Sequence, residues 1–181
     1  MKIVAIVGSI REDSYNKKLA SFMKEHFKNR VEIAILPIEE IPMYNQDNEL
    51  MPPDIVKDIK SKIAASDGML IVTPEYNHSI PGVLKNAIDW FSRVDKVMHN
   101  KPVMIVGGSG GALGTVRAQM QLRQILNAPG VSALTLPGNE VFIGSVHEKI
   151  DESGDLIHEP TIEFLDTVME KFMDWIQNNN K

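Results

Sequence analysis

The feature that most constrains this chain is an alternation, repeated along most of its length, of short apolar runs that end at Gly or Pro with longer segments of helical periodicity. Residues 3–7 are uninterrupted apolar and are followed by Gly8, as expected for a strand covered on both faces. Beyond Ser14, apolar side chains recur at helical spacing, at Leu19, Phe22, Met23 and Phe27. This alternation is typical of a parallel sheet wound by helices.

The same pattern predicts four further strands and four further helices. We place the strands at residues 31–36, 68–73, 103–106 and 131–136, and the helices at residues 54–65, 83–91, 115–127 and 162–176. Residues 37–53 show no clean period and are predicted as a long surface loop, while residues 142–159 are polar and turn-rich. The sequence therefore predicts a single α/β domain over residues 1–181, a three-layer sandwich with helices on both faces of a five-stranded parallel sheet.

Composition excludes several classes of function. The chain of 181 residues has no cysteine, which rules out disulfides, cysteine nucleophiles, iron–sulfur clusters and zinc sites built on thiolates, and its five histidines show no metal-ligand spacing. A net charge of −5 offers no broad basic surface for nucleic acid or an anionic membrane. Because no stretch is long enough to span a bilayer or has the form of an export signal, a cytoplasmic protein is expected.

The loop after the first strand carries an anion-binding pattern. In an open parallel sheet, ligands bind beyond the carboxyl ends of the strands, so the loops after strands one, three and four are the candidates. The first of them brings polar side chains to a helix N-terminus, where unpaired N–H groups and the helix dipole favour a phosphate. These residues are Ser9, Arg11, Ser14, Tyr15 and Asn16. Since the chain has neither a GxGxxG fingerprint nor a Gly-Lys dipeptide, the phosphate is expected to belong to a mononucleotide.

The loop after the third strand is bounded by two prolines. Pro74 and Pro81 stiffen a segment that contains Glu75, Tyr76 and Asn77. A stiff loop keeps its backbone N–H and C=O groups aimed at a flat polar ring. Taken alone, this segment is better explained as an ordinary connection between a strand and a helix, and only the neighbouring loops favour a binding role.

The loop after the fourth strand, residues 107–114, contains five glycines, which let a ligand approach the backbone closely. It also spells GxSxG around Ser109, which is the pattern of a nucleophile elbow in a serine hydrolase. Asp151 or Asp155 and then His158 follow in the chain order that such a triad requires. Three observations argue against a hydrolase. The chain is short for that fold, and the glycine run is longer than a nucleophile elbow needs. A hydrolase also assigns no role to the loop around Arg11.

The three loops together resemble the NADPH-dependent FMN reductase family of flavodoxin-like proteins, which includes azo-, quinone- and chromate-reducing enzymes. The resemblance extends from the start of the chain to about residue 140. The matching segments are GSIREDSYNKKLA at 8–20, PEYNHSIPGVLKNAIDW at 74–90 and GGSGGALGTVRAQMQLRQIL at 107–126.

This resemblance implies a flavodoxin-like fold that binds FMN without a covalent bond. By the same resemblance, Ser9, Arg11, Ser14 and Asn16 hold the phosphate, residues 74–77 border the isoalloxazine ring, and Ser109 with Gly110 lies along its other edge. The implied reaction is a ping-pong hydride transfer from NADPH or NADH to a small acceptor, which is a flavin, a quinone, an azo compound or a metal oxyanion. No side chain is assigned as an acid, base or nucleophile, because the cofactor performs the chemistry.

Two alternatives and one assembly prediction accompany this interpretation. A flavodoxin-like electron carrier shares the fold without using nicotinamide, although such carriers tend to be more acidic than this chain. The serine hydrolase with Ser109 is the second alternative. Apolar side chains in the helices at 83–91 and 120–126 predict a homodimer or homotetramer, and residues 44–51 are expected, by the resemblance, to overhang the site from their own or a neighbouring subunit.

Overall fold

The computed structural model describes residues 1–179, so the last two residues of the predicted domain, Asn180 and Lys181, lie outside the described residues. Its centre is a parallel sheet with the strand order β2-β1-β3-β4-β5, in which β6 also pairs with β4. The strands are β1 (Lys2–Val7), β2 (Glu32–Leu36), β3 (Gly68–Val72), β4 (Pro102–Gly108), β5 (Leu134–Thr135) and β6 (Val141–Ile143). The predicted flavodoxin-like three-layer α/β sandwich is confirmed.

Within these residues, five α-helices cover the two faces of the sheet. They are α1 (Tyr15–His26), α2 (Asp54–Ala64), α3 (Gly82–Phe91), α4 (Val116–Leu126) and α5 (Glu159–Asn179). Alternate residues of β1 point to opposite faces, so that Ala5 packs in the cluster under α1 and α5 while Ile6 packs in the cluster under α2, α3 and α4. Burial on both faces explains why the central strands have uninterrupted apolar sequences. No helix among residues 1–179 is long and apolar enough to cross a membrane.

The fifth strand position differs from the prediction. We expected one strand at residues 131–136, but only Leu134–Thr135 forms a strand there, and it pairs with the first half of β4. Pro137 has no N–H to donate and Gly138 adopts a φ of +64°, so the ladder is interrupted. Pairing resumes at Val141–Ile143, along the second half of β4. Two short strands therefore occupy the place of one, and β6 extends into a segment that we predicted as turn-rich.

The long loop after β2 is ordered by α3. It contains two short 3₁₀ turns, Ile38–Glu40 and Gln46–Asn48. The buried amide of Asn86 accepts a hydrogen bond from the Tyr44 N–H (2.7 Å) and donates one to the Pro42 carbonyl (3.0 Å), which also accepts one from the Trp90 indole (2.9 Å). Nearby in the chain, the side chains of Met43, Leu50 and Met51 are almost fully exposed.

Candidate cofactor site

The carboxyl ends of β1, β3 and β4 bring the three predicted loops around one cavity of about 210 Å³. Its lining contains every predicted site residue except Asn77, together with Gly108, which we did not single out within the glycine run. The lining residues are Ser9, Arg11, Ser14, Tyr15, Asn16, Pro74, Glu75, Tyr76, Gly108, Ser109 and Gly110. A larger cavity, of about 310 Å³, lies on the other side of Ser9 between α1 and the loop after β2. Of these two cavities, the smaller one is lined by residues from all three loops.

The loop before α1 and the first turn of this helix have hydrogen-bond donors without an acceptor in the described part of the protein. Ser9 is only 4% exposed, yet its hydroxyl makes no hydrogen bond to any of the described residues. The N–H groups of Tyr15 and Asn16, at the start of the helix, have no acceptor within residues 1–179. The Ser14 hydroxyl accepts one long hydrogen bond, of 3.4 Å, from the Lys17 N–H. Unpaired donors at a helix N-terminus, together with the helix dipole, favour a negative charge, so this turn fits a bound anion.

Charged side chains surround this turn at the surface. The side chain of Arg11 is 62% exposed, and its guanidinium lies 3.5 Å from the carboxylate of Asp13. Lys18 makes an ion pair of 2.5 Å with the same carboxylate. The hydrogen bond and charge of Lys18, and to a lesser degree the charge of Arg11, hold the pKa of Asp13 below its ordinary value. Of the two cations paired with Asp13, Lys18 makes the shorter contact, and Arg11 is the one that also lines the cavity.

The side chain of Asn16 connects the first loop to the fourth strand. Its amide nitrogen donates to the Gly108 carbonyl (2.9 Å), and its amide oxygen accepts from the Gly108 N–H (3.0 Å). The amide oxygen and one of the two amide N–H groups are therefore used by the protein, which leaves the second amide N–H for a phosphate. The backbone N–H of Asn16 remains available for that purpose.

The carboxylate of Glu75 reaches across to α4. One of its oxygens accepts hydrogen bonds from the backbone N–H groups of Arg117 (2.9 Å) and Ala118 (3.0 Å), and the other lies 3.6 Å from the Arg117 guanidinium. Glu75 thus occupies the N-terminus of α4. Between the N-termini of α1 and α4, the one of α1 is therefore open to a ligand.

The residues after Glu75 form a tight turn. Asn77 and His78 have φ values of 51° and 63°, and Tyr76 and Ser79 exchange backbone hydrogen bonds of 2.9 and 3.0 Å. Two consecutive residues with positive φ are typical of a type I′ turn. The turn directs Asn77 to solvent, which explains why it is the one predicted residue that does not line the cavity. The Ser79 hydroxyl donates to the Gln121 side chain on α4.

The glycines of the fourth loop have two different roles. A Cβ at Gly107 would overlap the Thr115 hydroxyl, so packing within the protein requires this glycine, whereas a Cβ at Gly108 would lie 2.9 Å from the end of the Leu19 side chain, which would have to shift. At Gly110 the nearest atom to such a Cβ is Nδ1 of His147, at 3.7 Å, so this position is open. Of the two glycines of this run that line the cavity, Gly108 and Gly110, Gly110 has open space beside its Cα, and the predicted close approach of a ligand is proposed there.

Ser109 has no catalytic partner in the described part of the chain. Its hydroxyl donates to the carbonyl oxygens of Gly114 (2.7 Å) and Gly111 (3.3 Å), and no histidine or carboxylate among residues 1–179 hydrogen-bonds to it. His158 instead pairs with the Thr161 hydroxyl at 2.8 Å. The geometry of a serine triad is therefore absent from these residues. Within the same range there is no group of three His, Cys, Asp or Glu side chains able to hold a metal ion.

This fold and this site define a mononucleotide-binding protein of the flavodoxin-like class. The sequence profile of the family described as NADPH-dependent FMN reductase matches residues 1–148, and the chain belongs to that family. It is an FMN-dependent NAD(P)H oxidoreductase, the first of the three functions that the sequence left open.

Two relatives and one solved structure are similar to this chain over almost its whole length. The NADH-dependent flavin reductase subunit 2 of Lactobacillus johnsonii is 39% identical, with 100% of both chains covered. A quinone reductase of Escherichia coli K12 is 37% identical over 98% of this chain and 96% of its own. The solved structure of FerB, a flavoenzyme NAD(P)H:(acceptor) oxidoreductase from Paracoccus denitrificans, superposes with a TM-score of 0.88 at 35% identity and covers 98% of each chain.

Proposed function

We propose that the FMN phosphate lies on the first turn of α1. The observation that carries this assignment is the hydroxyl of Ser9, a residue only 4% exposed, which has no partner among residues 1–179, next to the N–H groups of Tyr15 and Asn16, which also lack one there. Ser14 adds a second hydroxyl, and Arg11 supplies the full positive charge that a phosphate dianion favours. The N-terminus of α4 does not compete for the phosphate, because the Glu75 carboxylate already occupies it.

The isoalloxazine ring is proposed to lie between the third and fourth loops. Pro74, Glu75 and Tyr76 border one side of the cavity, and Ser109 with Gly110 borders the other. When bound there, FMN supplies hydride chemistry between a reduced nicotinamide and an acceptor. The chain's own contribution is to orient the ring through stiff backbone segments and to keep water from its buried side. No side chain is assigned to hold or move a proton.

We infer that donor and acceptor use the same open side of the cavity in turn, which is a ping-pong sequence. Tyr76, which is half exposed, marks that open side. A site so open accepts small molecules of several kinds, and the names of the relatives favour a quinone or a flavin as the acceptor over an azo compound or a metal oxyanion. The name of the Lactobacillus johnsonii relative favours NADH as the donor, although the name of the family carries NADPH.

Assembly and location are proposals of the same kind. The apolar side chains of Met43, Leu50 and Met51, which are exposed in the loop after β2, support a homodimer or homotetramer, since burial of such side chains against a second subunit is favourable. Sedimentation equilibrium of the pure protein decides this, and a monomer at all concentrations would contradict it.

We propose the cytoplasm as the compartment. We also propose that the chain folds as one domain, because both core clusters pack on the single sheet.

Reconstitution with FMN tests the proposed function. We expect the purified chain to bind one FMN per subunit and to lose the yellow absorption when NADH or NADPH is added without oxygen. Addition of a quinone to the reduced protein should then restore the yellow colour. A protein that cannot be loaded with FMN would contradict the proposal, and a yellow protein that neither nucleotide bleaches would indicate an electron carrier.

Substitution of Ser109 separates the reductase from the hydrolase. Because the Ser109 hydroxyl bonds to the Gly114 carbonyl and no base among the described residues hydrogen-bonds to it, Ser109→Ala is expected to lower kcat/KM for NADH oxidation by no more than about fivefold, the effect of one neutral hydrogen bond. The assay is stopped-flow reduction of the FMN-loaded variant, with ester hydrolysis measured in parallel. Loss of an esterase activity in the variant, with the reductase unaffected, would favour a second activity at this serine.

A further inference from the structure

Helix α4 lacks a local N-terminal cap. Its N-cap residue, Thr115, makes no capping hydrogen bond, because its buried hydroxyl accepts a hydrogen bond from the Gln119 side chain at 3.0 Å instead. The N–H groups of the first turn of a helix have no partner within the helix, and a missing cap destabilises the helix end. A residue outside α4 must therefore satisfy these groups, or water must.

Glu75 is that residue, although it lies 42 positions earlier in the chain. Its side chain is only 12% exposed, and one carboxylate oxygen accepts from both Arg117 and Ala118. A negative charge at this place also interacts favourably with the positive end of the helix dipole. The carboxylate is therefore held by hydrogen bonds and by charge, which fixes the backbone of the loop that carries it.

A second contact joins the same two elements. The Ser79 hydroxyl, on the far side of the tight turn, donates to the Gln121 side chain one helical turn along α4. The third loop is thus attached to α4 on both sides of Tyr76. Because α4 is packed on the sheet through Ala118 and Leu122, the loop takes its position from a rigid element.

We propose that Glu75 is a positioning residue for the flavin ring. Its carboxylate replaces the missing cap of α4 and so fixes the loop after β3 in the shape that receives the ring, whereas it acts on the flavin only through the backbone. The positioning of the flavin ring by Glu75 rests on the proposed function, whereas the attachment of the loop to α4 does not. A role in positioning predicts that FMN and riboflavin depend on Glu75 equally, because they share the ring and differ in the phosphate.

The test compares Glu75→Ala with Glu75→Gln, which keeps an oxygen acceptor of the same reach. Asp54→Ala is the matched control, because Asp54 is an acidic residue in the first turn of α2 that is 99% exposed and does not line the cavity. Amide hydrogen exchange is measured in the flavin-free proteins at Arg117 and Ala118 and at the turn residues Tyr76 and Ser79. Dissociation constants for FMN and riboflavin are measured by fluorescence quenching.

We expect Glu75→Ala to accelerate exchange at these amides by about tenfold or more and to weaken both flavins by about tenfold, a factor that corresponds to ~1.4 kcal/mol. Glu75→Gln should remain within about threefold of the unsubstituted protein in both measurements, and Asp54→Ala should change neither. Unchanged exchange in Glu75→Ala overturns the cap. If Glu75→Ala weakens the binding of FMN alone, the residue does not position the ring. If Glu75→Gln weakens both flavins as much as Glu75→Ala does, an oxygen acceptor at this place is not what positions the ring. A parent protein that binds neither flavin defeats the proposed function, while the exchange data still decide whether Glu75 holds the loop.

Discussion

Replacing Gly107 with alanine is expected to unfold the end of β4 and abolish flavin binding. The added Cβ would overlap the hydroxyl of Thr115 and lie 2.5 Å from the backbone carbonyl oxygen of Thr73. Both threonines are fully buried, and the carbonyl belongs to the chain immediately after β3, so neither contact is relieved by rotating an exposed side chain. Overpacking of this kind costs about 3 kcal/mol. For a chain of this size we expect the Tm to fall by about 6–12 °C, as measured by calorimetry.

The chain provides a matched glycine for comparison. At Gly82, the first residue of α3, a Cβ would meet no atom within 4 Å, and the residue has no positive φ. Gly82→Ala should therefore change the free energy of unfolding by less than about 1 kcal/mol, in the stabilising direction, since alanine restricts the unfolded chain. If Gly107→Ala were as stable as Gly82→Ala, the packing of β4 against Thr73 and Thr115 described above would be incorrect.

The sequence predicts the central strands well because burial on both faces leaves a simple signal. β1, β3 and β4 are apolar runs, and each was predicted within a few residues of its observed ends. The fifth strand position was not predicted correctly, because its two short strands depend on β4 as a partner. Two residues such as Leu134 and Thr135 carry no periodicity, and only the pairing with Pro102 and Val103 makes them a strand.

The place of the site was predictable for a related reason. Parallel strands align their carboxyl ends, so polar loops that follow β1, β3 and β4 must meet. The sequence does not say which polar atoms remain for a ligand. Asn16 and Glu75 both satisfy the expected composition of a binding loop, yet their side chains bond to Gly108, 92 residues away, and to Arg117, 42 residues away. Only the folded chain distinguishes such internal contacts from Ser9, whose hydroxyl no described residue uses.

The second large effect is expected at Arg11, where the assignment of the phosphate can be tested directly. Because Arg11 is the cationic side chain in the cavity lining, Arg11→Ala should weaken FMN binding by about tenfold to thirtyfold, the lower part of the range for hydrogen bonds to a charged group at an exposed position. Riboflavin lacks the phosphate, and its affinity should change by less than about twofold. The measurement is flavin fluorescence quenching at low ionic strength.

Two comparisons separate this charge effect from a general one. Lys24→Ala removes one positive charge near the other end of α1 and should leave the affinities for both flavins unchanged, because Lys24 does not line the cavity. Raising the salt concentration should reduce the difference between Arg11→Ala and the parent protein, since exposed charges are screened. Equal losses for FMN and riboflavin would place Arg11 at the ring instead of the phosphate. Together with an equal loss for both flavins in Glu75→Ala, a loss for FMN alone in Arg11→Ala would orient the cofactor, with its phosphate at α1 and its ring at the loop held by α4.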